Sequence, residues 1–278
     1  MKLYNQTSLK ISQIITRNYS TSFYFASLFY SKSVREAIFS IYGFVRFADE
    51  IVDTFHRCNQ KKLLDDFIAD LNNALNFRIS LNPVLHAFQL TVKKYEIERQ
   101  LIDAFLDSMR NDLIIKNYQT KKEIDKYIYG SAEVVGLMCL RVFCQGNETI
   151  YNELKYPAVK LGAAFQKVNF LRDLKADMQD LQRSYFPQIN DTFDENTKQE
   201  IIKDIQNDFA IARNGIRKLP GNTKVAVYIA YFYYKALLKK LQRIPAHQII
   251  NRRVRISNTR KVLLTFKAVV FCKLNLIK

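Results

Sequence analysis

Two aspartates, Asp49 and Asp53, stand four residues apart in IYGFVRFADEIVDTF, the stretch from Ile41 to Phe55. Apolar Ile41, Phe44, Val45, Ala48 and Val52 recur around them at spacings of three and four, with no Pro and one Gly, which predicts a helix. On that helix Tyr42, Arg46, Asp49 and Asp53 fall within roughly 60° of one another and form one polar stripe. Like charges one turn apart cost a helix about 0.2–0.5 kcal/mol unless a cation sits between them. A second stretch repeats the arrangement. In FQKVNFLRDLKAD, from Phe165 to Asp177, the residues Gln166, Asn169, Asp173 and Asp177 share one face, flanked by Phe165, Val168, Phe170, Leu171 and Leu174. One D-x-x-x-D helix is most simply a solvated face. Two matched ones, each continued by amide or phenol groups, are hard oxygen donors of the kind that suits Mg²⁺ completed by water and phosphate oxygens.

The segments IYGFVRFADEIVD and QKVNFLRDLKAD, with RSYFP beyond the second, resemble the two aspartate-rich signatures of the squalene/phytoene synthase family. STSFYFAS, YIYGSAEVVGLM, YYKALLKKL and RRVRIS extend the resemblance, in order, over nearly the whole chain. It implies an all-α fold: a single-domain helical bundle of the class I isoprenoid synthase type with a central cavity, spanning residues 1–278. It also implies a prenyltransferase that joins two prenyl diphosphates head to head. On this resemblance Asp49, Asp53, Asp173 and Asp177 would bind Mg²⁺, with Mn²⁺ as a substitute. Ser20, Ser22, Arg46, Gln166, Asn169, Arg172, Arg183 and Tyr185 would hold substrate diphosphate. Tyr42, Arg46, Tyr129 and Tyr234 are the candidate catalytic groups.

The chain departs from the family pattern in four places. The Pro that usually precedes the basic position of Arg35 is absent, and Gln182 replaces a Gly. The spacing from Asp177 to Arg183 is one residue longer, and Ser131-Ala132-Glu133 stands where Val-Ala-Gly is common. Glu133 therefore brings an acid close to the expected cavity, as a cation contact or an outward-facing group.

A lost diphosphate leaves an allylic cation that must meet the second substrate before water does, which requires a dry cavity. Twenty Phe and sixteen Tyr can line one, although aromatic residues at helical spacing are more often core. Substrate length turns on Ser27, one turn beyond Phe23 and on the same face if STSFYFAS is helical. A small residue there leaves room at the far end of the cavity, which favours two geranylgeranyl diphosphates and phytoene, in carotenoid biosynthesis. The alternative is a squalene or dehydrosqualene synthase acting on farnesyl diphosphate, with Ser27 merely packed or solvated. Phytoene synthesis needs no NADPH, and no G-x-G-x-x-G follows a strand.

Composition narrows the other classes. The formal net charge is +17, which suits nucleic acid, yet no zinc-finger spacing, RNA-binding aromatic signature or basic-heptad pattern is present. The charge is concentrated at the end: residues 251–278 hold eight Lys/Arg and no acid, interleaved with Val262, Leu263, Leu264, Phe266, Val269, Val270 and Phe271. Such a basic amphipathic segment fits an anionic membrane surface better than a nucleic-acid groove. No window reaches the eighteen or so uncharged apolar residues that a spanning helix needs, and residues 2–17, polar and amphipathic without a continuous apolar core, do not read as a signal peptide. The expectation is a cytoplasmic protein held peripherally at the inner face of the membrane, as a monomer or weak dimer. Four Cys without C-x-x-C argue for reduced thiols and against zinc, and the three His are assigned no chemistry. A terpene cyclase or a chain-elongating prenyltransferase would carry other acidic motifs. A non-catalytic assembly factor would tend to lose the acidic pairs.

Few Gly and Pro, and helical periodicity almost throughout, set the elements that must position these residues. Helices are predicted over 7–17, 33–54, 60–77, 82–94, 97–115, 123–143, 148–180, 194–218 and 223–242. Asp103 and Asp107 on the helix over 97–115, which also carries Asp112, mimic the acidic spacing. No amide or aromatic stripe continues theirs, so they are read as solvated.

Overall fold

A computed structural model describes residues 1–179, 185–186, 193–221, 223–251 and 253–273, with side chains for all of these except 177–179 and 273. The described residues are helical with no β-strand. The helix that carries the first acidic stripe, α3 (Lys32–Asp53), buries Val34, Ala37, Ile38, Ile41, Phe44, Ala48, Ile51 and Val52. Phe44 pins it in place: its ring stacks on Phe88 at 4.0 Å and is flanked by Phe105 at 5.4 Å and Phe67 at 6.0 Å. Those three rings belong to α5 (Pro83–Tyr95), α6 (Arg99–Asp112) and α4 (Gln60–Phe77). Burying four such side chains contributes about 1.5–3 kcal/mol each.

The other side of α3 is covered by α1 (Lys2–Tyr19), which extends past the predicted 7–17 at both ends. Its inward face is small and polar, Ser8, Ser12 and Thr16, all fully buried. Gly43 of α3 answers it: a Cβ there would lie 3.3 Å from Ser12 Oγ, so the two backbones approach closely only with Gly. This packing delivers the chain through Ser20 into α2 (Thr21–Ser27), directly beside the acidic stripe.

The predicted helix 123–143 is broken. It begins as α7 (Lys121–Ile128), loosens into a π-helical turn (Tyr129–Glu133), and resumes as α8 (Val134–Cys144). The cause is tertiary. A Cβ on Gly130 would stand 2.6 Å from the Ala104 carbonyl oxygen, because α6 presses against the turn. The π turn also packs on α9 (Glu148–Gln179), where Gly162 faces the Ala132 carbonyl. Pro157 is accommodated inside α9 opposite Gly215 of α10 (Glu195–Ile216). Beyond lie α11 (Thr223–Arg243), α12 (Ala246–Ile249) and α13 (Asn258–Lys273), the last packed on α11.

Helix ends follow their local chemistry. Asn59, Asn82 and Asp194 accept backbone N–H groups at the starts of α4, α5 and α10, and Thr120 with Glu123 forms a capping box for α7. One cluster of buried apolar residues runs from Ala26 to Ala268.

Candidate active site

Tyr42, Arg46 and Asp49 stand together on one face of α3, with Ser20 brought to them by the α1–α2 junction. Ser20 sits at the start of α2 but makes no capping bond to it. Its hydroxyl lies close enough to the Tyr42 phenol to act on it. Burial pushes that phenol up to about 12, with Arg46 and Ser20 pulling in the opposite direction. The Tyr42 ring stacks on Phe23 at 5.2 Å. Ser22 is half-buried in the first turn of α2.

The Arg46 guanidinium lies 4.5 Å over the Tyr19 ring and donates to Glu50, Nε at 3.1 Å. Burial pulls its pKa down, but Glu50 and Asp49 more than offset this and hold it above the ordinary value. Asp49 experiences the reverse. Burial first, and then the charge of Asp53, push its carboxyl up to about 8; Arg46 opposes, and Asp112 and Glu50 add to the rise. Asp53 is exposed where α3 ends, and Gln60 closes that end by donating to the Ile51 and Val52 carbonyls at 2.8 and 3.0 Å.

On α9 the second stripe meets α11. Asn169 Oδ1 accepts a hydrogen bond from the Tyr234 hydroxyl at 3.2 Å, and the Tyr234 ring stacks on Phe165 at 4.0 Å. Tyr234 is also close enough to Tyr42 to act electrostatically on its phenol. Gln166 donates to Ser131 Oγ at 3.5 Å. Asp173 is clasped by two guanidinium groups: Arg172 Nε at 3.0 Å, and Arg253 Nε at 2.7 Å with Nη2 at 3.3 Å.

Other predicted residues are placed less centrally. Tyr129 opens the π turn and is 42 % exposed. Tyr185 is buried in an aromatic stack, 4.0 Å from Phe170 and 5.4 Å from Tyr127. The Asp177 side chain, Arg183 and Pro187 lie outside the described residues. Glu133 turns toward the ion pairs between α9 and α10, where Lys160 and Lys167 meet Asp208 at 3.3 and 2.7 Å. Burial pushes its carboxyl up to about 7, with the two lysines opposing. Ser27 is fully enclosed, its hydroxyl donating to the Phe23 carbonyl at 2.8 Å, so it is not solvated.

Sequence reasoning missed two contributors. Asp112, grouped with Asp103 and Asp107, separates from them: those two pair with exposed arginines, whereas Asp112 is buried. It accepts the Tyr127 hydroxyl at 2.9 Å and acts on Asp49. Its place beside Met109 and Phe105, on the apolar side of α6, was the available signal. Arg253 matched a basic position of the family, but nothing local pointed it at Asp173.

The donor chemistry can be tested against a cation. Asp49, Asp53 and Glu50 place three carboxyls on two turns beside Arg46, and burial together with the Asp53 charge raises Asp49, an elevation that a bound hard cation would oppose. Among the described residues no three acidic, His or Cys side chains converge on one point. The first stripe supplies hard oxygen donors of the kind a divalent cation takes, without a closed site among the described residues; in the second, Asp173 is paired with arginine.

An all-helical frame that carries two aspartate-bearing helices matches the isoprenoid synthase fold of the solved structures. The chain superposes on a dehydrosqualene synthase with a TM-score of 0.82, at 21% identity, covering 97% of this chain and 98% of that one. For the squalene synthase HpnC from Alicyclobacillus acidocaldarius the TM-score is 0.76, at 19% identity, covering 87% and 95%. The squalene/phytoene synthase family model matches residues 16–193, and the chain belongs to that family. It is a prenyltransferase by class, and enzymes of this class generally use divalent metal ions. Similar relatives include the phytoene synthase of Arthrospira platensis, 25% identical over 92% of this chain and 90% of that protein. The 15-cis-phytoene synthase of Synechocystis sp. is 26% identical over 93% and 83%.

Proposed function

We propose that the chain joins two geranylgeranyl diphosphates head to head to give phytoene, with release of both diphosphates and two protons, one when the cyclopropyl intermediate forms and one when the final alkene forms. The observation that carries this reading is the pair of polar groups that the fold assembles: Tyr42, Arg46 and Asp49 with Ser20 nearby on one, Tyr234, Asn169 and Asp173 on the other. Relatives that span most of the chain and bear the name phytoene synthase support the twenty-carbon substrate.

The residues divide the work as follows. Asp49, Asp53, Asp173 and Asp177 would hold Mg²⁺, or Mn²⁺ in its place, which supplies Lewis acidity and neutralises the leaving diphosphate. Arg46, Arg172 and Arg253 offer fixed positive charge to diphosphate oxygens, and Ser20, Ser22, Gln166 and Asn169 orient them. Tyr42, Tyr234 and Phe23 present ring faces where the allylic cation develops, as does Tyr129 from the π turn. Packed aromatic walls exclude water during the rearrangement. The final alkene forms by proton loss rather than hydride delivery, so no NADPH is consumed. A basic surface and a water-insoluble product support peripheral attachment at the inner face of a membrane, with the protein a monomer or weak dimer.

Substrate length is the testable core of this reading. Each prenyl unit adds five carbons, and burial at about 0.8 kcal/mol per CH₂ makes selection by length strong. In a competition between geranylgeranyl and farnesyl diphosphate, kcat/KM favours the longer substrate, and Ser27→Phe shifts the preference toward the shorter. A clear preference of the unmodified enzyme for farnesyl diphosphate would replace phytoene by a thirty-carbon product. An unmoved preference in Ser27→Phe would remove Ser27 as the reason.

A further inference from the structure

Helix α13 is apolar on two opposite sides. One side, Leu264, Thr265, Ala268 and Cys272, is at least half-buried and faces α11, where Thr265 Oγ1 meets the Tyr233 hydroxyl at 2.6 Å. At about 100° per residue, Val262, Leu263 and Phe266 lie roughly opposite that face. They are 68, 65 and 69 % exposed. A helix lying on the surface of a protein in water would place polar residues there. Cations flank the ridge instead: Arg260 and Lys267 are exposed beside Leu263. The Lys267 ammonium stands at the edge of the ridge near the Phe232 and Phe271 rings, 5.5 and 5.2 Å from their centres. The sequence holds no acid from residue 251 onward, and the whole chain carries +17.

We infer that α13 is the membrane-docking element: Val262, Leu263 and Phe266 enter the interface of an anionic bilayer while Arg260 and Lys267 meet lipid phosphates. This rests on the peripheral attachment proposed above and names the face responsible. Charge decides the occupant. A second copy of this chain would bring the same cations against themselves, whereas an anionic leaflet concentrates opposite charge at the depth where the flanking groups sit. Sixteen helical residues lying in the interface plane suit such contact and are too few to span a bilayer.

Sedimentation with vesicles tests the assignment, using phosphatidylcholine alone and phosphatidylcholine mixed with phosphatidylglycerol. The unmodified protein should pellet with the mixed vesicles, weakly with the neutral ones, and less at high salt. Val262→Ser with Phe266→Ser should lower binding to the mixed vesicles by about tenfold or more. Arg260→Gln with Lys267→Gln should lower it about fivefold per charge and reduce the salt dependence. Turnover of detergent-dispersed substrate should stay unchanged in both, since neither touches the acidic stripes, and that readout stands or falls independently of binding. If the ridge variant binds as the unmodified protein does, α13 is not the docking element even though the membrane contact stands. If the unmodified protein ignores the mixed vesicles, both fall. A dimer in solution that the ridge variant dissolves would make the ridge a self-association surface and overturn the assignment.

Discussion

Helices α3 and α9 carry the same acidic spacing and live under opposite electrostatics. On α3, Asp49 is pushed up to about 8 by burial and by the neighbouring acids, while the nearest cation, Arg46, is bonded to Glu50. On α9, Asp173 has a guanidinium on each side, one from its own neighbour Arg172 and one from Arg253, eighty residues away. The lesson is that an i, i+4 acidic pair fixes where oxygens point but not what charge they hold. That charge is set by groups the fold imports. The first stripe groups carboxyls whose burial and mutual repulsion a bound cation would relieve. The second is already compensated, by arginines whose charge equally suits diphosphate oxygens. An arrival of metal with diphosphate would satisfy both, since the carboxylates gain the cation and the arginines gain the anion.

The comparison breaks most visibly if the two stripes act as one unit. Asp49→Asn and Asp173→Asn should each lower turnover by roughly 10²–10³-fold or more, as for loss of one electrostatic group in a preorganised site. Helical circular dichroism should be retained. Normal turnover in either variant would separate that stripe from the chemistry.

A smaller effect should come from the imported arginine. Arg253→Gln leaves Asp173 with Arg172 alone, so metal binding in the absence of substrate should strengthen. The value of kcat/KM should nevertheless fall by roughly tenfold, because a charge-assisted contact to diphosphate is lost. Calorimetric Mg²⁺ titration beside steady-state kinetics separates the two. If both change in the same direction, Arg253 serves only to hold Asp173.

These contrasts bear on what could be read in advance. The amphipathic stripes of α3, α4 and α9 were legible, since periodicity is a local property and the boundaries of α4 fall where the sequence places them. The break at Tyr129–Glu133 was not. Nothing in YGSAE forbids an ordinary helix; the π turn answers the approach of Ala104, which belongs to a helix distant in sequence. For the same reason Asp103 and Asp112 looked alike. One is half-exposed beside Arg99 and the other is buried under Tyr127, a difference made by which way α6 turns in the packed structure. Ser20 was visible as a hydroxyl near a reversal, but its approach to Tyr42 depends on how α1 packs against Gly43.

The smallest expected effect concerns Asp112, and it sharpens the account of α3 through pH. A carboxyl raised from 3.8 to about 8 in the folded protein binds more protons folded than unfolded between those values. It therefore supports the metal-free fold fully below the unfolded value, and that support is lost as pH rises through about 8. The Tm of the metal-free protein should then decline over this window, in addition to any contribution from other groups. Asp49→Asn should flatten that part of the slope, and saturating Mg²⁺ at the alkaline end should restore stability. Asp112 contributes to the elevation, after burial and Asp53. Asp112→Asn keeps an oxygen for the Tyr127 hydroxyl while removing the charge, so the decline should end at a lower pH, by less than Asp53→Asn would cause. Differential scanning across pH, with each variant compared to the unmodified chain, resolves the ordering. A slope in Asp49→Asn identical to that of the unmodified protein would mean that the grouped carboxyls on α3 do not govern its stability. An unmoved midpoint in Asp112→Asn, with Asp53→Asn moving it, would confine the coupling to α3 itself.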